Sequence, residues 1–290
     1  MSGVRGLIET QVHRLVGLGS GEVDLDRPAG DPGLFGPGSI VWKVHGDFTA
    51  MMVGGVSALL LQMLHPGALA GVWDHSNFRQ DMLGRLRRTA QFISGTTYGS
   101  THAAEALIAR VRRIHDGVAG TLPDGTRYSA NDPALLTWVH VAEVRSFLHA
   151  CLRFRGDLPG AAQDRYYAEV ATIAERLGAA DVPKSRQAVE AYLRAMRPDL
   201  RADERTRAVA DALLNQPGPH ALAGPVRDLL MQAGVDLLPR WAASMHGLRA
   251  GGPRAAAVRA GVAGVGSVLR WALRDGSARR AARRLGTQPG

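Results

Sequence analysis

Residues 48 to 73 read FTAMMVGGVSALLLQMLHPGALAGVW, an almost unbroken apolar run, and no other segment limits the possible folds so sharply. The run is long enough to cross a membrane. However, Gln62, His65 and Pro66 interrupt it, glycines dilute it, and no Lys or Arg cluster flanks it. It reads instead as a buried helix from Phe48 to about Leu64, ended by the restriction that Pro66 places on the residue before it. A helix that is apolar all round needs packing partners on every side, so this one predicts the centre of a large helical core. The chain has 290 residues, 46% of them hydrophobic and only 6% aromatic, which suits an all-α protein with one large helical domain. The expected division is an N-terminal helix and loop over 1–39, a helical domain over 40–247, and an Arg-rich tail or helix over 248–290.

The net charge of +9 comes from 35 basic and 26 acidic residues, and nearly all of it sits at one end. From Arg249 onward there are nine arginines against one acid, Asp275, leaving the preceding residues almost balanced. A basic groove along the fold is therefore not expected, and nucleic acid is not an expected partner. The tail reads first as a solvated or frayed end. A second reading is a loosely amphipathic helix carrying Trp271, which would allow peripheral membrane contact. Cys151 is the only cysteine, which excludes an intramolecular disulfide framework and multi-cysteine metal sites. The N-terminus shows no secretory pattern, and the expected location is cytoplasmic.

Helical spacing recurs along the rest of the chain. Between residues 102 and 119, Ala104, Leu107, Ile108, Val111, Ile114 and Val118 form an inward stripe that includes His115. A turn at LPDGTRYSA follows. Asp132 as N-cap and Pro133 at the first helical position then start a helix reaching about Phe154. Its inward line is Leu136, His140, Val144, Phe147 and Cys151. Further helices are predicted over 162–178, 185–196, 203–215 and 225–246.

The chain lacks a Walker-type phosphate loop, a His-Glu-x-x-His helix and a Gly-x-Ser-x-Gly elbow, so the common nucleotide, zinc-protease and hydrolase readings lose support. Histidines on apolar helix faces remain. His115 and His140 are each either a satisfied core residue or a neutral imidazole available to a metal. Upstream, Arg85, Arg88 and Thr89 stand at i, i+3 and i+4, so that all three project from one side of a helix. They form either a solvated basic face or a set of donors for an anionic group.

Five segments occur in order: LLLQMLHPGALAGVWDHSNF, GRLRRT, RVRRIHDGVAG, YSANDPALLTWVH and DRYYAEV. Together they resemble the catalytic domain shared by the latex-clearing rubber oxygenases and the MpaB-type oxygenases. The resemblance implies an all-helical, globin-like core around haem b. By motif, His115 of RRIH is the iron ligand, with Arg85 and Thr89 the polar pair near the haem and His140 a further residue of the cofactor pocket. Where the rubber oxygenases carry a lysine that approaches the iron, this chain has Arg88. A guanidinium has no lone pair to offer, so Arg88 is expected to donate hydrogen bonds to dioxygen, peroxide or a substrate acid rather than to ligate. Arg88, Arg85 and Thr89 are thus the expected catalytic side chains. The apolar helix before His65, with Phe147 and Leu148, is expected to form the pocket walls. The functional expectation is a haem b-dependent oxygenase acting on a small or medium apolar molecule with dioxygen or peroxide and an unidentified electron donor. The alternative is a non-catalytic haem- or lipid-binding helical protein at a membrane surface.

Overall fold

The structure, a computed structural model, describes residues 23–216, 224–273 and 275–286, with residues 3, 5, 6 and 8–10 of the N-terminal segment. Most of the expected N-terminal helix lies outside the described residues. Those described form thirteen α-helices of four residues or more and one two-stranded sheet, an all-α architecture.

The long apolar run becomes two helices, α2 (Phe48–Gln62) and α3 (Pro66–His75), following the short α1 (Ile40–His45). The two are bent by 104° at the break. The break is local chemistry: Pro66 takes the first position of α3, and His65 caps it by accepting from Gly67 N at 3.1 Å through Nδ1. Among the described residues no single helix is long and apolar enough to cross a membrane. Instead α2 is enclosed, with ten of its fifteen residues buried.

Its main partner is α6 (Pro133–Arg155), which begins as the sequence predicts, with Asp132 accepting from Leu135 N at 2.9 Å and Pro133 at the first position. The two helices run antiparallel. Asp47 at the start of α2 meets Arg155 at the end of α6, Gly54 lies against Phe147, and Gln62 Nε2 donates to Val139 O at 3.0 Å. Trp138 Nε1 returns a bond to Gln62 O at 3.2 Å, so neither buried polar group is left unpaired at that crossing.

Around this pair stand α4 (Met82–Tyr98), α5 (Thr101–Asp116), α7 (Gly160–Leu177), α8 (Arg186–Met196) and α9 (Glu204–Leu214). Between α5 and α6 the turn segment forms a hairpin, Ala119–Thr121 paired antiparallel with Arg127–Ser129, with Gly125 at φ 87° in its turn. The helix expected over 225–246 is two, α10 (Gly224–Leu237) and α11 (Arg240–Met245), because Pro239 breaks it.

The C-terminal segment departs furthest from expectation. It is not a frayed end but two packed helices, α12 (Pro253–Ala272) and α13 (Ser277–Arg284). Helix α12 lies on α2 and α10, burying Val258 and Val262 with Val53 and Leu230. Arg284, only 3% exposed, donates to the carbonyls of Leu25, Asp31, Tyr98 and Gly99 and ties α13 to the end of α4. Many of the arginines counted as a charge tail are therefore structural. Composition alone cannot distinguish a solvated guanidinium from one that collects carbonyls.

Candidate functional site

The largest cavity that the structure outlines, about 1090 Å³, runs along one face of α2. On this otherwise buried helix, Met51, Met52, Gly55 and Leu59 are the half-buried positions, and they recur at helical spacing because they face the open space. From α4 come Leu86, Thr89, Ala90 and Ile93, from α6 Glu143 and Phe147, and from α10 Met231. Helices α12 and α13 close the remaining side with Leu269, Arg270, Leu273 and Ala278. The walls are mainly apolar with few polar groups, the usual character of a small-molecule site.

Two of those polar groups are titratable residues absent from the sequence expectations. His45, at the end of α1, shares hydrogen bonds with Thr97 Oγ1 through Nδ1 and with the Tyr166 hydroxyl through Nε2, both at 2.9 Å. Burial lowers its pKa to about 3, so it is neutral, and both its ring nitrogens are already used. Glu143 differs: among the described residues it has neither an ion pair nor a hydrogen bond, and burial raises its pKa from 4.5 to about 7. It is a carboxyl group facing a largely apolar cavity, able to give or take a proton near neutrality. The sequence did carry a signal for it. Glu143 interrupts the inward line of the helix, three residues after His140 and four before Phe147, and an acid on such a line needs a reason to be there.

The motif residues are more scattered than expected. Thr89 lines the cavity, its hydroxyl also donating to Arg85 O at 3.2 Å. Arg85 turns instead into an apolar recess with Met63, Val72, Met82 and Val209, and donates to Ser76 Oγ at 3.2 Å. It has no carboxylate partner among the described residues, and burial, with Arg88 nearby, lowers its pKa. A largely buried, unpaired guanidinium is costly unless an anion meets it. Arg88 points to solvent and forms an exposed 3.6 Å contact with Asp81. The three donors expected to converge on one pocket therefore face three directions. Leu148 is a core residue away from the cavity, whereas Phe147 lines it. His65 serves as a helix cap, and Asp74 and His75 meet the Tyr128 hydroxyl near the surface.

Both candidate imidazoles retain a buried, unpartnered ring nitrogen, Nδ1 in His115 and Nε2 in His140. Burial lowers the pKa of His115, against weaker opposing effects of Asn131 and Asp116. Burial also lowers that of His140, to about 4. Neither lines the 1090 Å³ cavity. Gly95 packs against Leu107, which places α5 on the side of α4 away from Leu86, Ala90 and Ile93, so His115 is separated from the cavity by α4. His140 shares the α6 face of Glu143 and Phe147 at helical spacing. Ile114, counted on the same inward stripe as His115, is 56% exposed, because the last turn of α5 extends past its partners.

One family accounts for most of the chain. The profile of the "ER-bound oxygenase mpaB/B'/Rubber oxygenase, catalytic domain" matches residues 42–271. The chain belongs to that family. The mpaB/rubber oxygenase match starts within α1 and runs almost to the end of α12, so it includes the cavity face of α2, the motif residues and Glu143. No curated protein and no solved structure matches the chain. Among the described residues of this oxygenase-family domain, no three His, Cys, Asp or Glu side chains gather as a metal-binding group. Haem iron needs only one or two protein ligands, and a neutral imidazole with an unused buried nitrogen is the right donor. His115 and His140 both fit that chemistry, and Arg85 fits the charge of a carboxylate-bearing group.

Proposed function

We propose that this mpaB/rubber oxygenase family member is a haem b-dependent oxygenase acting on an apolar organic molecule. The observation that carries the reading is the pair of buried imidazoles, His115 and His140, each neutral and each with an unpartnered ring nitrogen. Motif order favours His115 as the axial ligand. Position favours His140, which lies on the face of α6 that lines the cavity. In either case Arg85 would pair with a carboxylate of the group, which removes the problem of its unpaired charge. Haem supplies a redox-active iron for dioxygen or peroxide chemistry, tuned by pocket polarity and fed by an electron donor of unassigned identity. The chain's own residues bind and orient the substrate. Met51, Leu59, Phe147 and Met231 exclude water around it, and the Glu143 carboxyl holds a proton within the cavity that Thr89 also borders.

The absorption spectrum of the purified protein tests this reading. A Soret band that disappears in His115→Ala but persists in His140→Ala assigns the ligand by motif, and the reverse pattern assigns His140. Arg85→Ala is expected to lower haem occupancy and Arg88→Ala to leave it unchanged, because only Arg85 is buried without an anion. Colourless protein from haem-replete cells would overturn the reading.

A further inference from the structure

The charged groups of the cavity collect at its solvent-facing end, where Asp47 caps α2. Asp47 is 4% exposed and receives Arg270 Nη1 at 3.1 Å, while Arg155 Nε lies 3.5 Å from the same carboxylate oxygen. Lys43 also lines this end, is exposed, and makes no ion pair among the described residues. Three cations therefore share one carboxylate, leaving a surplus of two positive charges beside an apolar space. Such a surplus favours a bound anion.

From there the cavity follows α2 from Phe48 to Gln62, roughly 21 Å at the rise of a helix. Along this length the walls are Met51, Met52, Gly55, Leu59, Phe147 and Met231. The antiparallel pairing of α2 with α6 places Glu143 roughly 18 Å along α6 from Arg155. The space is thus long, apolar inside and cationic at its mouth. Beside the mouth, on the turns of α12 that carry Leu269 and Arg270, Val268 and Trp271 are 51% and 42% exposed. Exposed apolar side chains next to a cationic rim suit contact with lipid.

We propose that the cavity binds a long-chain amphiphile with an anionic head group, the head held by Lys43, Arg155 and Arg270 and the chain lying along α2 toward Glu143. The proposal rests on the cavity being the substrate's place and gives that substrate a class. The anionic head is either the carboxylate of a free long-chain acid or the phosphate of a phospholipid.

The test uses the full chain and the fluorescent long-chain acid cis-parinaric acid, displaced by palmitate, methyl palmitate or hexadecylamine, with an absorption spectrum taken on the same sample. Palmitate is expected to displace the probe at least about tenfold better than the ester or the amine, the scale of a lost charge-assisted contact. Lys43→Glu is expected to weaken palmitate by about tenfold while leaving the ester and the thermal midpoint unchanged, since Lys43 holds no structural partner. Displacement by monomeric palmitate identifies a free acid. Displacement only by phosphatidate vesicles identifies a phospholipid head, and both results support the proposal. Equal binding of acid and ester, an inert Lys43→Glu, or no uptake of the probe overturns it. Loss of probe uptake on full haem loading would also overturn it, by giving the cavity to haem. Colourless protein that still binds palmitate would remove the haem reading and leave this one intact.

Discussion

The Glu143 carboxyl is held near pKa 7 by burial, against 4.5 ordinarily, and this makes the stability of the chain depend on pH at a single residue. Below about pH 4.5 the folded and unfolded states both keep the proton, so the residue makes no difference. Between about 4.5 and 7 only the folded state keeps it, so stability falls as pH rises; above about 7 the loss is complete. Glu143→Gln is therefore expected to raise the thermal midpoint at about pH 8 and to leave it unchanged near about pH 4.5, as read by scanning calorimetry across that range. An equal shift at both pH values would mean that Glu143 is not buried as a neutral acid. At this scale the sequence was only partly readable. His115 and His140 could be picked out as imidazoles on apolar faces, because residue type and helical phase are both local. That Arg85 would turn inward and Arg88 outward was not readable, since the two differ in their surroundings and not in their chemistry.

Two adjacent glycines in α2 show how the helices are set against each other. A Cβ on Gly54 would stand 2.8 Å from the Phe147 ring and 3.1 Å from its Cα and from Ser146 O, so it meets backbone that cannot yield. A Cβ on Gly55 would meet nothing within 4 Å. Gly54→Ala is expected to destabilise by about 1–3 kcal/mol through separation of α2 and α6. Gly55→Ala is expected to stabilise by up to about 1 kcal/mol through helix propensity alone. Urea melts of the two variants check this, and effects of the same sign would show that the crossing is looser than the structure has it. Helix starts were legible wherever a cap and a proline coincide, as at Asp132 and Pro133. The second half of the apolar run was not separated from the first as α3. Its composition does not change across His65 and Pro66, and only the 104° bend divides it.

For the whole molecule, the C-terminal helices decide whether the rest holds together. Helix α12 covers α2 and α10, and Arg284 of α13 binds four carbonyls from otherwise separate segments. Ending the chain after Gly247 would expose Val53 and Leu230 and leave those carbonyls without their donor. The truncated protein is expected to be insoluble or to melt well below the full chain, as measured by soluble yield and thermal midpoint. A truncated protein with an unchanged midpoint would return α12 and α13 to the status of a dispensable tail. By itself the sequence determined the all-α class, the central apolar helix, most helix positions and the family, because periodicity, caps and ordered motifs are written in neighbouring residues. The tertiary structure alone decided that the arginines of α12 and α13 are largely structural, that the cavity follows α2, and that Lys43, Arg155 and Arg270 meet around Asp47. Those groups lie far apart in the chain, and only the packing of apolar faces, which has no short-range signature, brings them together.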